Sequence, residues 1–324
     1  MGGNLKKHVE LCYNFNNYAY YWGEGSMERK EKKNQGLMKA IKAVHSIVEN
    51  DNIDKQRQSQ ETIGMLYGKD KEILFEDFEI DGMQAEWVRV DRPHIKKYVI
   101  LYCHGGGYMT GGINYCRTLT TKLAKSTSMD VLSFDYRLAP VYPYPSALED
   151  GLKAWDYLMY LGYGSRDVII VGDSAGGNLA FAMTLKLREQ NRLLPRGIIG
   201  MSPWTDMTCS GHSHEKKKGV DPILDSEYLD KAIKSYAPEE DLSNPLISPL
   251  FADFTGFPPV YLQVGSNEIL LDDTKMIQKK LIADNVSVKM DVYRGKWHVF
   301  QMSPFKEAYD AIDKIAEFIF SICR

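Results

Sequence analysis

Asp167-Val168-Ile169-Ile170-Val171-Gly172-Asp173-Ser174-Ala175-Gly176-Gly177 reads as a buried strand, an abrupt turn and the start of a helix. Four consecutive β-branched apolar residues, Val168 to Val171, favour a strand covered on both faces. Gly172-Asp173-Ser174-Ala175-Gly176 fits Gly-x-Ser-x-Gly, with glycines where a strained strand-to-helix turn leaves no room for side chains. Such a turn lifts Ser174 Oγ above the sheet. The helix expected from Ala175 to about Glu189 points its free N–H groups at the same spot, which favours a developing oxyanion.

Working outward, the chain after residue 70 alternates between strand and helix patterns. Ile73–Ile80 and Met83–Val90 flank Asp81-Gly82, a hairpin signal. Strands follow at Tyr98–Tyr102, Val131–Tyr136, Gly197–Met201, Val260–Val264 and Ser287–Tyr293. Helices are predicted near Cys116–Lys125, Ser146–Tyr160, Asp272–Asp284 and Ser303–Ile322. The pattern implies an α/β class with a mostly parallel central sheet and helices on both faces.

Before this core, Leu11 to Trp22 is dense in aromatic residues that either cap the core or line an apolar pocket. Met27–Asn50 has helical periodicity in Leu37, Ile41, Val44 and Val48, with Arg29-Lys30-Glu31-Lys32-Lys33 as a solvated face. Asp51 to Glu61 is polar and reads as a loop or mobile linker. The domain organisation expected is a helical cap over residues 1–70, then a core over 71–324. An insertion at about 205–250 forms a lid, with a helix near Ser226–Ser235 and a polar, mobile part around His212, His214 and Lys216-Lys217-Lys218.

Composition narrows the function. The 324 residues are 44% hydrophobic and 26% charged, with 40 basic and 43 acidic side chains. A net charge of -3 argues against a nucleic-acid partner. Cys12, Cys103, Cys116, Cys209 and Cys323 are scattered, odd in number and without a Cys-x-x-Cys pair, which suits free thiols in a reducing cytoplasm. The first residues lack an apolar signal core, and no apolar run spans a bilayer. The expectation is a cytoplasmic protein with no membrane span.

Ser174 needs a base, an orienting acid and oxyanion donors. Three successive glycines directly after a strand, in Cys103-His104-Gly105-Gly106-Gly107-Tyr108, suit backbone amides that approach an oxygen closely. Gly106, Gly107 and Ala175 are the expected donors. A phosphate-cradling loop is an alternative, but no Lys-Ser/Thr follows, so Walker A is excluded. Among the seven histidines, His298 alone lies late enough, after the Ser287–Tyr293 strand. The acid belongs in Gly265-Ser266-Asn267-Glu268-Ile269-Leu270-Leu271-Asp272-Asp273. Glu268 is favoured, being nearest the sheet edge, while Asp272 and Asp273 are also positioned to cap the following helix. His104, Asp173 and Asp272 are expected to support the site.

With these residues in view, the chain resembles the hormone-sensitive lipase family of α/β-hydrolases, the bacterial family IV esterases. The resemblance rests on His104-Gly105-Gly106-Gly107, on Asp135-Tyr136-Arg137-Leu138-Ala139-Pro140 with Pro143-x-Pro145-x-Ala147-Leu148-Glu149-Asp150, and on Gly172 to Gly177. Ser202-Pro203-Trp204-Thr205-Asp206 and Trp297-His298-Val299-Phe300 extend it over about residues 98 to 300. The family often carries Asp-Pro-Leu around its acid, where this chain reads Glu268-Ile269-Leu270. The resemblance implies a serine carboxylesterase acting on small, short-acyl esters through an acyl-enzyme, with Ser174 as nucleophile, His298 as base, and no metal or cofactor. It allows a homodimer. An amidase or a carbohydrate or drug deacetylase on the same fold is an alternative, as is a non-catalytic small-molecule receptor on the same scaffold.

Overall fold

The computed structural model describes residues 52–67 and 70–323. The aromatic cluster Leu11–Trp22, the helix expected over Met27–Asn50 and its basic block lie outside the described residues, as does Cys12.

The core is one eight-stranded sheet of β1 (Ile73–Ile80), β2 (Met83–Val90), β3 (Ile95–Cys103), β4 (Met129–Phe134), β5 (Val168–Asp173), β6 (Gly197–Met201), β7 (Val260–Gly265) and β8 (Val288–Tyr293). Its order is β1-β2-β4-β3-β5-β6-β7-β8. β1–β2 and β2–β4 pair antiparallel, and every later pairing is parallel. The mostly parallel sheet expected from the alternating pattern is therefore the architecture observed. The first connection runs from β3 to β4 on one side, and the next strand, β5, inserts on the other side of β3. That reversal is a switch point, where parallel sheets leave a crevice beyond the carboxyl ends of their strands.

Alternate residues of the central strands face opposite layers. Val99, Leu101, Val168 and Ile170 join one apolar cluster with Leu148 and Trp155 of α3 (Ser146–Tyr160) and Leu179 of α4 (Ala175–Glu189). Ile277 and Leu281 of α7 (Leu271–Ala283) belong to the same layer. Ile100, Tyr102, Ile169 and Val171 face a second cluster with Leu119 and Leu123 of α2 (Ile113–Thr127) and Ile312, Ile315 and Ile319 of α8 (Lys306–Ile322). Every residue of β5 is buried, which explains its unbroken apolar run.

Three differences from the sequence-based expectation have physical causes. Asp51–Glu61 was expected to be a polar linker, but α1 (Ile53–Tyr67) is a helix. Asn52 Oδ1 accepts the Asp54 and Lys55 N–H groups at 3.0 and 3.2 Å, and so caps it. Several of its polar side chains are bonded to the core. Arg57 donates to the Met109 and Ala139 carbonyls at 2.8 and 2.9 Å, and Gln60 Oε1 accepts the Gly111 N–H at 3.0 Å. β4 ends at Phe134, two residues early, because Asp135 and Tyr136 turn to other tasks. Asp135 Oδ1 accepts the Ile113 N–H at 2.7 Å and caps α2, and the Tyr136 hydroxyl donates to the His104 carbonyl at 2.9 Å. The stretch expected to be polar and mobile holds α5 (Ser213–Lys216), whose Ser213 and His214 are buried.

Ile315 is fully buried between α8 and the sheet. Ile315→Ala is expected to destabilise the protein by about 2–5 kcal/mol, measured as a lowered urea midpoint with unchanged slope.

Candidate active site

The elbow at Ser174 is strained, and its neighbours show why the sequence must be glycine-rich. Ser174 has φ 53° and ψ -120°, a left-handed backbone that non-glycine residues avoid. A Cβ on Gly172 would lie 2.2 Å from the Gly176 carbonyl oxygen, and one on Gly176 would lie 2.0 Å from that of Cys103. The turn is pinned by the Ser174 N–H donating to the Met201 carbonyl at 2.9 Å, and by the Trp204 N–H donating to the Ser174 carbonyl at 3.0 Å.

Held there, Ser174 Oγ is 2.9 Å from His298 Nε2. His298 Nδ1 is 3.2 Å from Glu268 Oε2. The structure thus brings together three side chains drawn from the ends of β5, β7 and β8. Glu268 is fully buried, and its Oε1 accepts the Ser202 hydroxyl at 2.8 Å and the Gly265 N–H. The acid and histidine loops are also bonded to each other: the Asn267 N–H donates to the Lys296 carbonyl at 2.9 Å, and the Gly295 N–H donates to Ser266 Oγ at 2.8 Å.

Burial works against a charged His298, but the hydrogen bond and charge of Glu268, with the charges of Asp221 and Asp173, outweigh it. The imidazole is held above its ordinary range, basic enough to take a proton from a hydroxyl.

The other two carboxylates of the acid loop face elsewhere. Asp272 Oδ2 accepts the Ser213 N–H at 2.9 Å. Asp273 Oδ1 lies 2.8 Å from His214 Nε2, and that buried pair ties the insertion to α7. Burial disfavours a charged His214, yet Asp273 overrides it and the ring is pushed up to about 10. Neither aspartate is the residue that caps α7; Leu270 holds that place.

The glycine loop is a suspended turn. Gly106 and Gly107 have φ 114° and 61°. A Cβ on Gly106 would sit 2.2 Å from the Thr110 carbonyl oxygen. Asp173 Oδ1 holds the loop's first residue through the Gly105 N–H at 3.0 Å and the Tyr102 hydroxyl at 2.6 Å. His104 stacks on Tyr136 with ring centroids 4.0 Å apart, and its Nδ1–H donates to the Gly105 carbonyl at 2.7 Å. Burial pushes His104 down to about 4, so the ring is neutral and braces the loop. Ala175 opens α4, where the first N–H groups have no partner within the helix.

Three contributors escaped the sequence reading. Ser202 bridges Glu268 and the Val299 N–H, the latter at 3.2 Å. Its signals were its place at a strand end and in the Ser202–Asp206 stretch that carries the resemblance, neither of which assigns it a role. Asn178 accepts the Tyr108 hydroxyl at 2.8 Å and donates to the Trp204 and Ile247 carbonyls at 2.7 and 2.8 Å. Tyr228, on α6 (Ser226–Tyr236) of the insertion, donates its hydroxyl to the Gly106 carbonyl at 2.9 Å. No local pattern announces that contact across 122 residues.

Among the described residues, no group of three or more His, Cys, Asp or Glu side chains is placed to hold a metal ion, and no helix is long and apolar enough to cross a membrane.

A strained serine elbow on a parallel sheet, opposite a glycine loop and hydrogen-bonded to a histidine, defines the α/β-hydrolase class. Comparison with known proteins agrees. Residues 100–302 match the model of a family described by the alpha/beta hydrolase fold. An esterase of Acinetobacter venetianus is 37% identical over 79% of this chain and 85% of its own length. An acetyl-hydrolase of Streptomyces hygroscopicus is 35% identical over 67% of this chain and 72% of its own. A hormone-sensitive lipase from a metagenome library superposes with a TM-score of 0.85 at 32% identity, covering 90% of this chain and 98% of that one. The chain belongs to the α/β-hydrolase fold family, in its hormone-sensitive lipase branch.

Activity should fall as pH drops through the titration of His298, because only the neutral ring accepts a proton. Since that ring is held above its usual range, kcat/KM for a p-nitrophenyl ester is expected to lose half its value above about pH 6.5. A midpoint below that value would contradict the electrostatic reading.

Proposed function

We propose that the chain hydrolyses carboxylic esters through an acyl-enzyme on Ser174. The observation that carries this reading is the hydrogen-bonded chain from Ser174 Oγ through His298 to Glu268. His298 Nε2 takes the Ser174 hydroxyl proton as Oγ attacks the ester carbonyl carbon. Glu268 holds the imidazolium through Nδ1–H. The tetrahedral oxyanion accepts from the N–H groups of Gly106, Gly107 and Ala175, each worth about 3–4 kcal/mol in the transition state. Collapse breaks the bond to the alkoxy oxygen, which leaves as alcohol with the proton from His298. Water then attacks the acyl carbon, giving its proton to His298, and the carboxylic acid departs as Ser174 is restored.

Short acyl groups are the substrate class we infer. Relatives named acetyl-hydrolase and, from Pseudomonas putida, ethyl acetate hydrolase support it, the latter 28% identical over 82% of this chain. In this reading residues 1–70 form an N-terminal cap and about 205–250 the lid, together narrowing the pocket over the core of 71–324. The same reading places the enzyme in the cytoplasm, where its scattered thiols stay reduced, and leaves a homodimer through an edge strand or α8 as its assembly.

Ser174→Ala is expected to lower p-nitrophenyl acetate turnover by at least about 10⁴-fold. Retention of turnover would refute the mechanism. The acid is tested by a pair of substitutions: Glu268→Gln should cost about 10²–10⁴ in kcat, and Asp272→Asn less than about threefold. The reverse ranking would move the acid to Asp272.

A further inference from the structure

Resting on the serine-hydrolase reading, the inference concerns a buried carboxylate beside the triad acid that the acyl-enzyme cycle above does not use. Asp221 lies in the insertion between β6 and β7 and is only 4% exposed. Its Oδ1 accepts the Ile223 and Leu224 N–H groups at 3.0 and 3.3 Å, a local turn that fixes the side chain. Its Oδ2 accepts the Ile269 N–H at 3.3 Å. Ile269 directly follows Glu268, so the Asp221 carboxylate sits on the peptide link of the acid itself. Among the described residues it makes no ion pair. A buried carboxylate without an ion pair is costly to keep, and the imidazolium that forms on His298 during turnover is a positive charge that acts on it.

The charged and titratable groups that act on one another here come from four elements. They are His298 after β8, Glu268 after β7, Asp173 at the end of β5, and Asp221 from the insertion. We propose that Asp221 is a positioning residue delivered by the insertion: it fixes the Glu268–Ile269 peptide and adds a second negative charge that stabilises the imidazolium of His298. The insertion then does more than cover the pocket, since the charge balance of the triad is complete only with it in place. Burial pushes the Asp221 carboxyl up to about 6, with His298 pulling against that rise and Glu268 adding to it. Asp221 is therefore ionised at neutral pH and above.

The test is the pH dependence of kcat and kcat/KM for p-nitrophenyl acetate, from about pH 5 to 9, in the wild type, Asp221→Asn and Asp221→Ser. The serine hydroxyl can still accept the Ile223 N–H, so it preserves the turn if the amide does not. Removing the charge lowers the affinity of His298 for a proton, so the acid limb is expected to move to lower pH by about half to one unit. The plateau kcat should fall by about three- to tenfold with KM within about twofold, and Asp221→Glu should recover part of both. A loss of thermal stability alone, with an unshifted limb, or a rise in KM alone, would overturn the proposal. If Ser174→Ala were itself active, the serine-hydrolase reading would fail instead; an inactive Ser174→Ala with a silent Asp221→Asn would sink only this inference.

Discussion

The 2.9 Å contact between Ser174 Oγ and His298 Nε2 spans 124 residues, and most of the core serves to make it. A serine hydroxyl is a weak nucleophile until a base is placed within reach of its proton. Holding that hydroxyl clear of its own helix requires φ 53° at Ser174, a conformation that costs about 1–3 kcal/mol. The cost is met by contacts on both sides of the turn. Gly172 and Gly176 leave the backbone room to close, while the Met201 carbonyl and the Trp204 N–H lock the residue between them. The elbow is thus inseparable from β6 and from the start of the insertion.

The glycine loop obeys a similar logic from the other side of the switch point. Loops of small residues are free to move, and an oxyanion site is useful only if its amides are aimed beforehand. Here the loop is bonded to neighbours along its length. Asp173 takes its first N–H, Tyr228 reaches the Gly106 carbonyl, and Arg57 and Gln60 of α1 bond Met109 and Gly111. Two segments outside the sheet, α1 and the insertion, therefore brace the same loop from separate directions. Asp173 also shows why a motif residue can serve by position alone: its carboxylate joins Tyr102 to the loop and makes no contact with His298 or Ser174 among the hydrogen bonds described.

The parts legible from sequence were those governed by short-range rules. The elbow strand and helix, the hairpin about Asp81-Gly82, and β6 follow from apolar runs, glycines and turn residues within a few positions. Glu268 stood out over Asp272 and Asp273 because a Gly-Ser turn sets its distance from the strand end. What stayed hidden depends on distant partners. The polar face of α1 looked like a linker because its hydrogen bonds reach residues 52 and 82 positions away. His214 reads from sequence as part of a polar, mobile stretch, because the Asp273 that it is buried against lies 59 positions away. Ser202, Asn178 and Tyr228 are polar residues with no periodic signature, and only the closed fold reveals what they hold.

The central claim is that one hydroxyl, at Ser174, is made nucleophilic by this arrangement. Treatment with a fluorophosphonate, followed by proteolysis and peptide mass mapping, reads that directly, since the phosphonyl adduct on a triad serine does not turn over. The account predicts one equivalent of adduct, carried on the peptide that contains Ser174. An unlabelled protein, or an adduct mapped to any other residue, would contradict it.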